Sequence, residues 1–198
     1  MVSGILRRKR SGLNFGRRKK KVNMGIVKEV AGWIFEIVVT VLIAFTCVYF
    51  AGLRTSVVGQ SMEETLSSGD EILVNRFLYK VTDPKPNDLV VFLPNGNEKS
   101  HYYVKRVIAV PGDTVLIRNG AVYVNGELFQ EEAEVASIEE AGLAAEEITL
   151  GDDEYFVLGD NRNNSEDSRY ANIGNVKKEY MIGKAWFRIA PLGKFGFL

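Results

Sequence analysis

Cysteine and histidine are nearly missing from this chain of 198 residues: one of each, Cys47 and His101. A lone cysteine excludes a disulfide within one chain and any cysteine metal cluster. With a single histidine beside it, a zinc site has no ligand set. A Ser-His-Asp triad would have to use His101, which stands at the polar start of a strand-like run and reads as a surface residue. There is no internal repeat and no second long apolar run. Acidic residues are absent from positions 1–28, where ten basic side chains stand.

That last absence hides inside a net charge of zero. Positions 54–198 hold the other fifteen basic residues and twenty-three of the acids, a net of −8. Such asymmetry points to a membrane or a nucleic acid. The basic run precedes the apolar stretch Trp33–Leu53, whose only charge is Glu36, so the membrane takes precedence and no nucleic-acid partner is expected. As a helix the stretch covers roughly 30 Å, enough for a bilayer and too long for a cleaved signal peptide. We therefore expect a basic cytoplasmic tail over 1–28, disordered apart from its end, and a transmembrane signal anchor over 29–53. Trp33 and Tyr49 would sit at the two interfaces, and Glu36 near the cytoplasmic headgroups. An extracytoplasmic domain would follow over 54–198, held by its core without disulfides.

Beyond the anchor the pattern is strand-like. Runs such as Asp70–Val74, Asp88–Leu93, Tyr102–Val110, Glu154–Leu158 and Lys184–Ile189 lie between turn signals. Asn119-Gly120 and Asn125-Gly126 predict two tight hairpins. The Ala/Glu-rich stretch 130–150 reads as helix or loop. The expected class is mainly β, with a small inserted piece over about 119–150.

Three segments carry chemistry. Ser61 follows Val57-Val58 in a loop that begins at Gly59, where a hydroxyl is exposed and backbone N–H groups can hold an oxyanion. Taken alone it reads as an ordinary loop serine. Lys105 lies in a greasy strand, sharing a face with Tyr103, Val107 and Ala109. Burial, with Arg106 adjacent, predicts a lowered pKa and a neutral amine able to deprotonate Ser61; the alternative is a lysine snorkelling from a half-buried strand. The third segment, Gly159-Asp160-Asn161-Arg162-Asn163-Asn164-Ser165-Glu166-Asp167-Ser168-Arg169, is dense in hydrogen-bonding groups. Ser165 can orient the lysine, and Asp167 with Arg169 can pair to fix the loop; a solvated polar turn is the plainer reading. It lacks the order of a calcium loop, because Arg162 fills the third position.

Together these segments resemble the bacterial signal peptidase I family, membrane-bound serine proteases that remove signal peptides from exported proteins. The resemblance rests on Gly59-Gln60-Ser61-Met62 with Thr65-Leu66, on Gly69-Asp70, and on the run Tyr103–Asp113. It continues through Gly159–Arg169 to Trp186–Pro191, most of the chain in the family's order. It implies Ser61 as nucleophile, Lys105 as general base and Ser165 as the hydroxyl orienting that base. Asp167 and Arg169 become the supporting pair, with Gly159, Asp160 and Arg106 as further support. The backbone at Ser61 and Gly59 would form the oxyanion site. It also implies an antiparallel signal-peptidase-like β fold, cleavage after small residues, and no cofactor or metal. The implied partners are secreted preproteins, the lipid bilayer and the secretion translocon; the implied place is the bacterial cell membrane, single-pass, with the N-terminus cytoplasmic.

Two positions depart from the family's habit. Its usual proline two residues after the motif's methionine is Glu64 here, expected to loosen or re-aim the loop and to place a charge near the cleft. Some members carry an oxyanion serine where this chain has Gly59. Two rivals stay open: a processing protease of narrower substrate range, and a catalytically silent anchored domain that binds signal peptides. A self-cleaving regulator would need a DNA-binding module ahead of the site, which 28 mostly basic residues cannot supply.

Overall fold

The computed structural model describes residues 24–198, so the expectations for the basic tail fall almost wholly outside the described residues. The chain divides into two compact units at Ala44/Phe45. Helix α1 spans Met24–Ala51. Apolar side chains are exposed all around its described part, among them Trp33, Ile34, Phe35, Ile37, Val41 and Ile43. Among the described residues no helix is long and apolar enough to cross a membrane. The apolar run 33–53 is in fact shared between two elements, because Gly52 already begins a strand.

The second unit is mainly β. Its large sheet is built from β1 (Gly52–Ser56), β2 (Glu71–Asn75), β3 (Leu89–Phe92) and β4 (Tyr103–Ala109). A smaller sheet follows from β5 (Thr114–Arg118), β6 (Ala121–Val124), β7 (Glu127–Leu128) and β8 (Ile148–Thr149). The chain then returns to the large sheet with β9 (Glu154–Leu158), β10 (Val176–Lys177), β11 (Met181–Ala190) and β12 (Gly196–Phe197). The order is β1-β2-β11-β3-β4-β9-β10, with β12 on β11, and every pairing is antiparallel. The small sheet runs β7-β6-β5-β8. Its hairpins turn at Asn119-Gly120 and Asn125-Gly126, all four residues at positive φ, as a type I′ turn demands. The Ala/Glu-rich stretch is largely irregular, with one 3₁₀ turn at Gly142–Ala145 before β8.

Central strands are buried on both faces, so their sequences read as continuous apolar runs. On β3, Val90 and Phe92 pack with Tyr155 and Val157, while Leu89 and Val91 pack with Met62, Leu66 and Ile72. A third cluster joins Ile108, Phe156 and Leu158 to Val115, Ile117 and Val122 of the small sheet. At a rough 1.5–3 kcal/mol for each large apolar side chain buried, these clusters supply the main folding force in the absence of disulfides. Strand β4 departs from strict alternation. A register shift between Val107 and Ala109 moves Ala109 into the same cluster as Ile108, off the face expected for it beside Lys105.

Candidate active site

Strand ends deliver the site. The loop between β1 and β2 is closed at its base, where Val57 N–H donates to Asp70 and Gly69 N–H donates to Val57 (2.8 and 2.9 Å). Met62 and Leu66 are its apolar anchors, both 1% exposed. Gly59 has φ +89°, a left-handed conformation that glycine adopts without steric cost. Anchored in this way, the loop holds Ser61 half-buried at the surface. The Ser61 N–H donates to no described residue, leaving it free for an oxyanion.

The Gly159–Arg169 loop clamps this backbone. Asn161 N–H donates to the Ser61 carbonyl (3.1 Å) and Asn161 Nδ2 to the Gln60 carbonyl (3.0 Å). Asn164 Nδ2 reaches the Gln60 side chain at 3.2 Å. A Cβ on Gly159 would fall well inside 3.0 Å of both Ser165 Oγ and the Ser61 carbonyl. Only glycine fits between them.

Lys105 comes from β4 and is 2% exposed. Its pKa is lowered to about 8, first through burial, with the Arg169 cation adding to the shift and the Asp167, Glu166 and Asp160 charges opposing it. At that value a large share of the amine is neutral near pH 8. Arg106 does not act on it as expected. Alternation along β4 turns Arg106 to the opposite face, where Nε and Nη2 grip Asp160 (2.8 and 2.7 Å). Asp160 in turn accepts from Thr65 Oγ1 (2.5 Å), so this buried pair ties β4 to both loops, and of its two members only Asp160 acts on the lysine, raising its pKa. The cation that does lower the lysine is Arg169, brought close by folding rather than by sequence.

Asp167, fully buried, is the hub of the remaining contacts. It accepts from Arg169 Nε and Nη2 (2.8 and 2.9 Å), from Gly159 N–H (3.1 Å) and from Ser165 Oγ (2.8 Å). With its proton given to Asp167, the Ser165 hydroxyl keeps its lone pairs for a donor such as an amine. Ser61 and Lys105 line one open cleft of about 260 Å³, together with Val58, Gln60, Tyr103 and Glu166. Sequence reasoning missed Glu166, whose charge, after burial, raises the pKa of the Tyr103 phenol. Its place two residues before Ser168 in the polar loop was visible; its partner on β4 was not. His101 is exposed at the cleft's rim.

Glu64 does not line the Ser61 cleft; it lines a separate pocket with Glu134–Ala136, Asn161 and Arg162. It has φ +83°, which the ring of a proline cannot adopt.

A serine hydroxyl and a buried amine in one cleft are the parts of a hydrolase that works through a covalent acyl intermediate. A family profile described as "Signal peptidase, peptidase S26" matches residues 30–190. The chain belongs to the signal peptidase family. "Signal peptidase I P" of Bacillus subtilis subsp. natto is 34% identical over 91% of this chain and 97% of its own length. "Signal peptidase IB" of Staphylococcus aureus strain COL is also 34% identical, over 85% of this chain and 93% of its own. A crystal structure of a signal peptidase I from Enterococcus faecalis V583 shares 29% identity, with a TM-score of 0.41 over 52% of this chain and 97% of that one. As a member of the signal peptidase family, the chain is a serine-type peptidase.

Proposed function

We propose that this protein removes N-terminal signal peptides from exported preproteins, with Ser61 as nucleophile and Lys105 as general base. The observation that carries the reading is a buried lysine, its pKa lowered to about 8, lining the same cleft as an accessible loop serine. Neutral Lys105 takes the Ser61 proton as Oγ bonds to the scissile carbonyl carbon. The oxyanion rests on backbone N–H groups at Ser61, with Gly59 giving the loop its turn. The C–N bond then breaks as Lys105 returns the proton to the leaving amine, and the acyl-enzyme remains. Water adds next, losing a proton to Lys105; the ester bond breaks and Ser61 is reprotonated. Ser165, Asp167 and Arg169 hold the lysine side of the site, while Asp160 and Arg106 brace its floor.

The substrate would lie extended in the cleft, adding a strand to an exposed edge. The membrane part of the reading rests on composition: a basic flank ahead of the apolar run that fills most of α1, which would hold the domain at the lipid surface where preproteins leave the translocon. Cleavage of a presecretory protein by the detergent-solubilised chain, with product N-termini sequenced, tests the reaction. Ser61→Ala and Lys105→Met should each abolish the cut while leaving the fold intact; turnover surviving in either variant would end the dyad assignment. Flotation of the full chain with lipid vesicles tests the membrane part, and a chain that stays at the bottom of the gradient would refute it.

A further inference from the structure

Arg162 is 2% exposed although it belongs to a polar loop. Its two terminal nitrogens donate to both oxygens of Glu131 (2.7 and 2.8 Å), and its Nε donates to the Gly159 carbonyl (3.1 Å). Among the described residues Glu131 is its only ionic partner. Glu131 comes from the irregular stretch after β7, in the inserted part of the chain, and does not line the Ser61 cleft. The Gly159 peptide that Arg162 grips is the one packed against the Ser61 carbonyl and Ser165 Oγ.

A guanidinium this buried is tolerable only while paired. Without Glu131 it must move towards water, and in moving it releases the Gly159 carbonyl. The neighbouring pairs, Asp167 with Arg169 and Asp160 with Arg106, do not touch that carbonyl through their side chains and cannot replace it.

We propose that Glu131 is a positioning residue, which through Arg162 fixes the Gly159 peptide and so the spacing of Ser61 and Ser165 in the reacting site. The inference rests on the Ser61/Lys105 reading. It assigns the inserted segment a task in catalysis: its carboxylate sets the catalytic loop from outside the cleft.

The test uses the full detergent-solubilised chain on a presecretory protein, reading kcat, KM and thermal midpoint for Glu131→Gln, Glu131→Asp and the double exchange Glu131→Arg with Arg162→Glu. Misplacing reacting groups by an ångström costs up to about a hundredfold in rate. We expect Glu131→Gln to lower kcat by about ten- to a hundredfold with KM within about twofold, and Glu131→Asp to recover most of the loss. The double exchange rebuilds an ion pair but puts an acceptor where Gly159 needs a donor. It should therefore regain thermal stability without regaining kcat. Wild-type kcat in Glu131→Gln, or kcat recovered along with stability in the double exchange, would overturn the proposal. Ser61→Ala separates the two claims: if it is dead while Glu131→Gln is fully active, only the positioning role falls. If Ser61→Ala turns over normally, the dyad falls and takes this role with it.

Discussion

Gly159 lies against the Ser61 carbonyl and the Ser165 hydroxyl at once, with no room for a Cβ between them. One residue without a side chain therefore joins the proposed nucleophile to the hydroxyl expected to steer its base. Its N–H donates to Asp167 and its carbonyl accepts from Arg162, so neither end of the peptide can shift freely. Gly159→Ala must push the Ser61 backbone outward or displace Ser165. Overpacking of this kind costs roughly 1–3 kcal/mol, and the displaced nucleophile loses up to about a hundredfold in rate. Thermal melting and single-turnover cleavage should show both losses; a variant with normal kcat would mean that the contact does not set the reacting geometry.

The pH profile follows from Lys105. The amine works only when neutral, so activity should rise with pH through the value of about 8 set by its burial. Glu166 stabilises the protonated amine and opposes the shift. Glu166→Gln removes that negative charge, so the acid limb of kcat/KM should move to lower pH. A limb that stays in place, or moves upward, would show that Glu166 does not act on the lysine.

Stability should move in the opposite sense to activity when the lysine is removed. A depressed lysine pKa means that the unfolded chain binds more protons than the folded one between about pH 8 and the ordinary value of 10.5. Stability therefore rises with pH through that window, and the penalty of the buried charge is fully present below it. Lys105→Met removes the penalty, a gain on the order of 3 kcal/mol at neutral pH for a shift of this size. Denaturant melts at pH 7 and pH 10 measure it: the gap between variant and wild type should narrow at the higher pH, and an equal gap at both would assign the effect to packing alone.

How far such a site can be read from the chain depends on distance along it. Asn119-Gly120 and Asn125-Gly126 specify their turns locally, and the hairpins appear there. Ser61, Lys105 and Ser165 could be singled out because each stands in a run whose composition suits its chemistry. Adjacency in sequence is not adjacency in space for Arg106: the pleat turns it away, and Arg169, sixty-four positions after Lys105, is the cation that acts. The bulge after Val107 carries no signal of its own, since Val107, Ile108 and Ala109 are all apolar and all buried. Glu131 looks like any other acid in an acid-rich stretch, and only folding shows that it meets Arg162. The apolar run 33–53 gave no warning that strand would begin at Gly52.

Glu64 offers a test of backbone alone. At φ +83° it holds a conformation that side chains rarely adopt and that proline cannot reach. Glu64→Gly relieves the strain, while the greater freedom of glycine in the unfolded chain works against it. A left-handed non-glycine residue costs of order 1–3 kcal/mol, so the net should favour glycine by about 1 kcal/mol. Glu64→Pro forces the turn Gln60–Leu66 to rebuild and should destabilise by about 3 kcal/mol or more. Because Glu64 lies outside the Ser61 cleft, the glycine variant should keep wild-type kcat. Thermal midpoints with parallel turnover decide the matter. A proline variant as stable as wild type would show that the loop readily takes a conformation with negative φ at this position, and that Glu64 does not set its path.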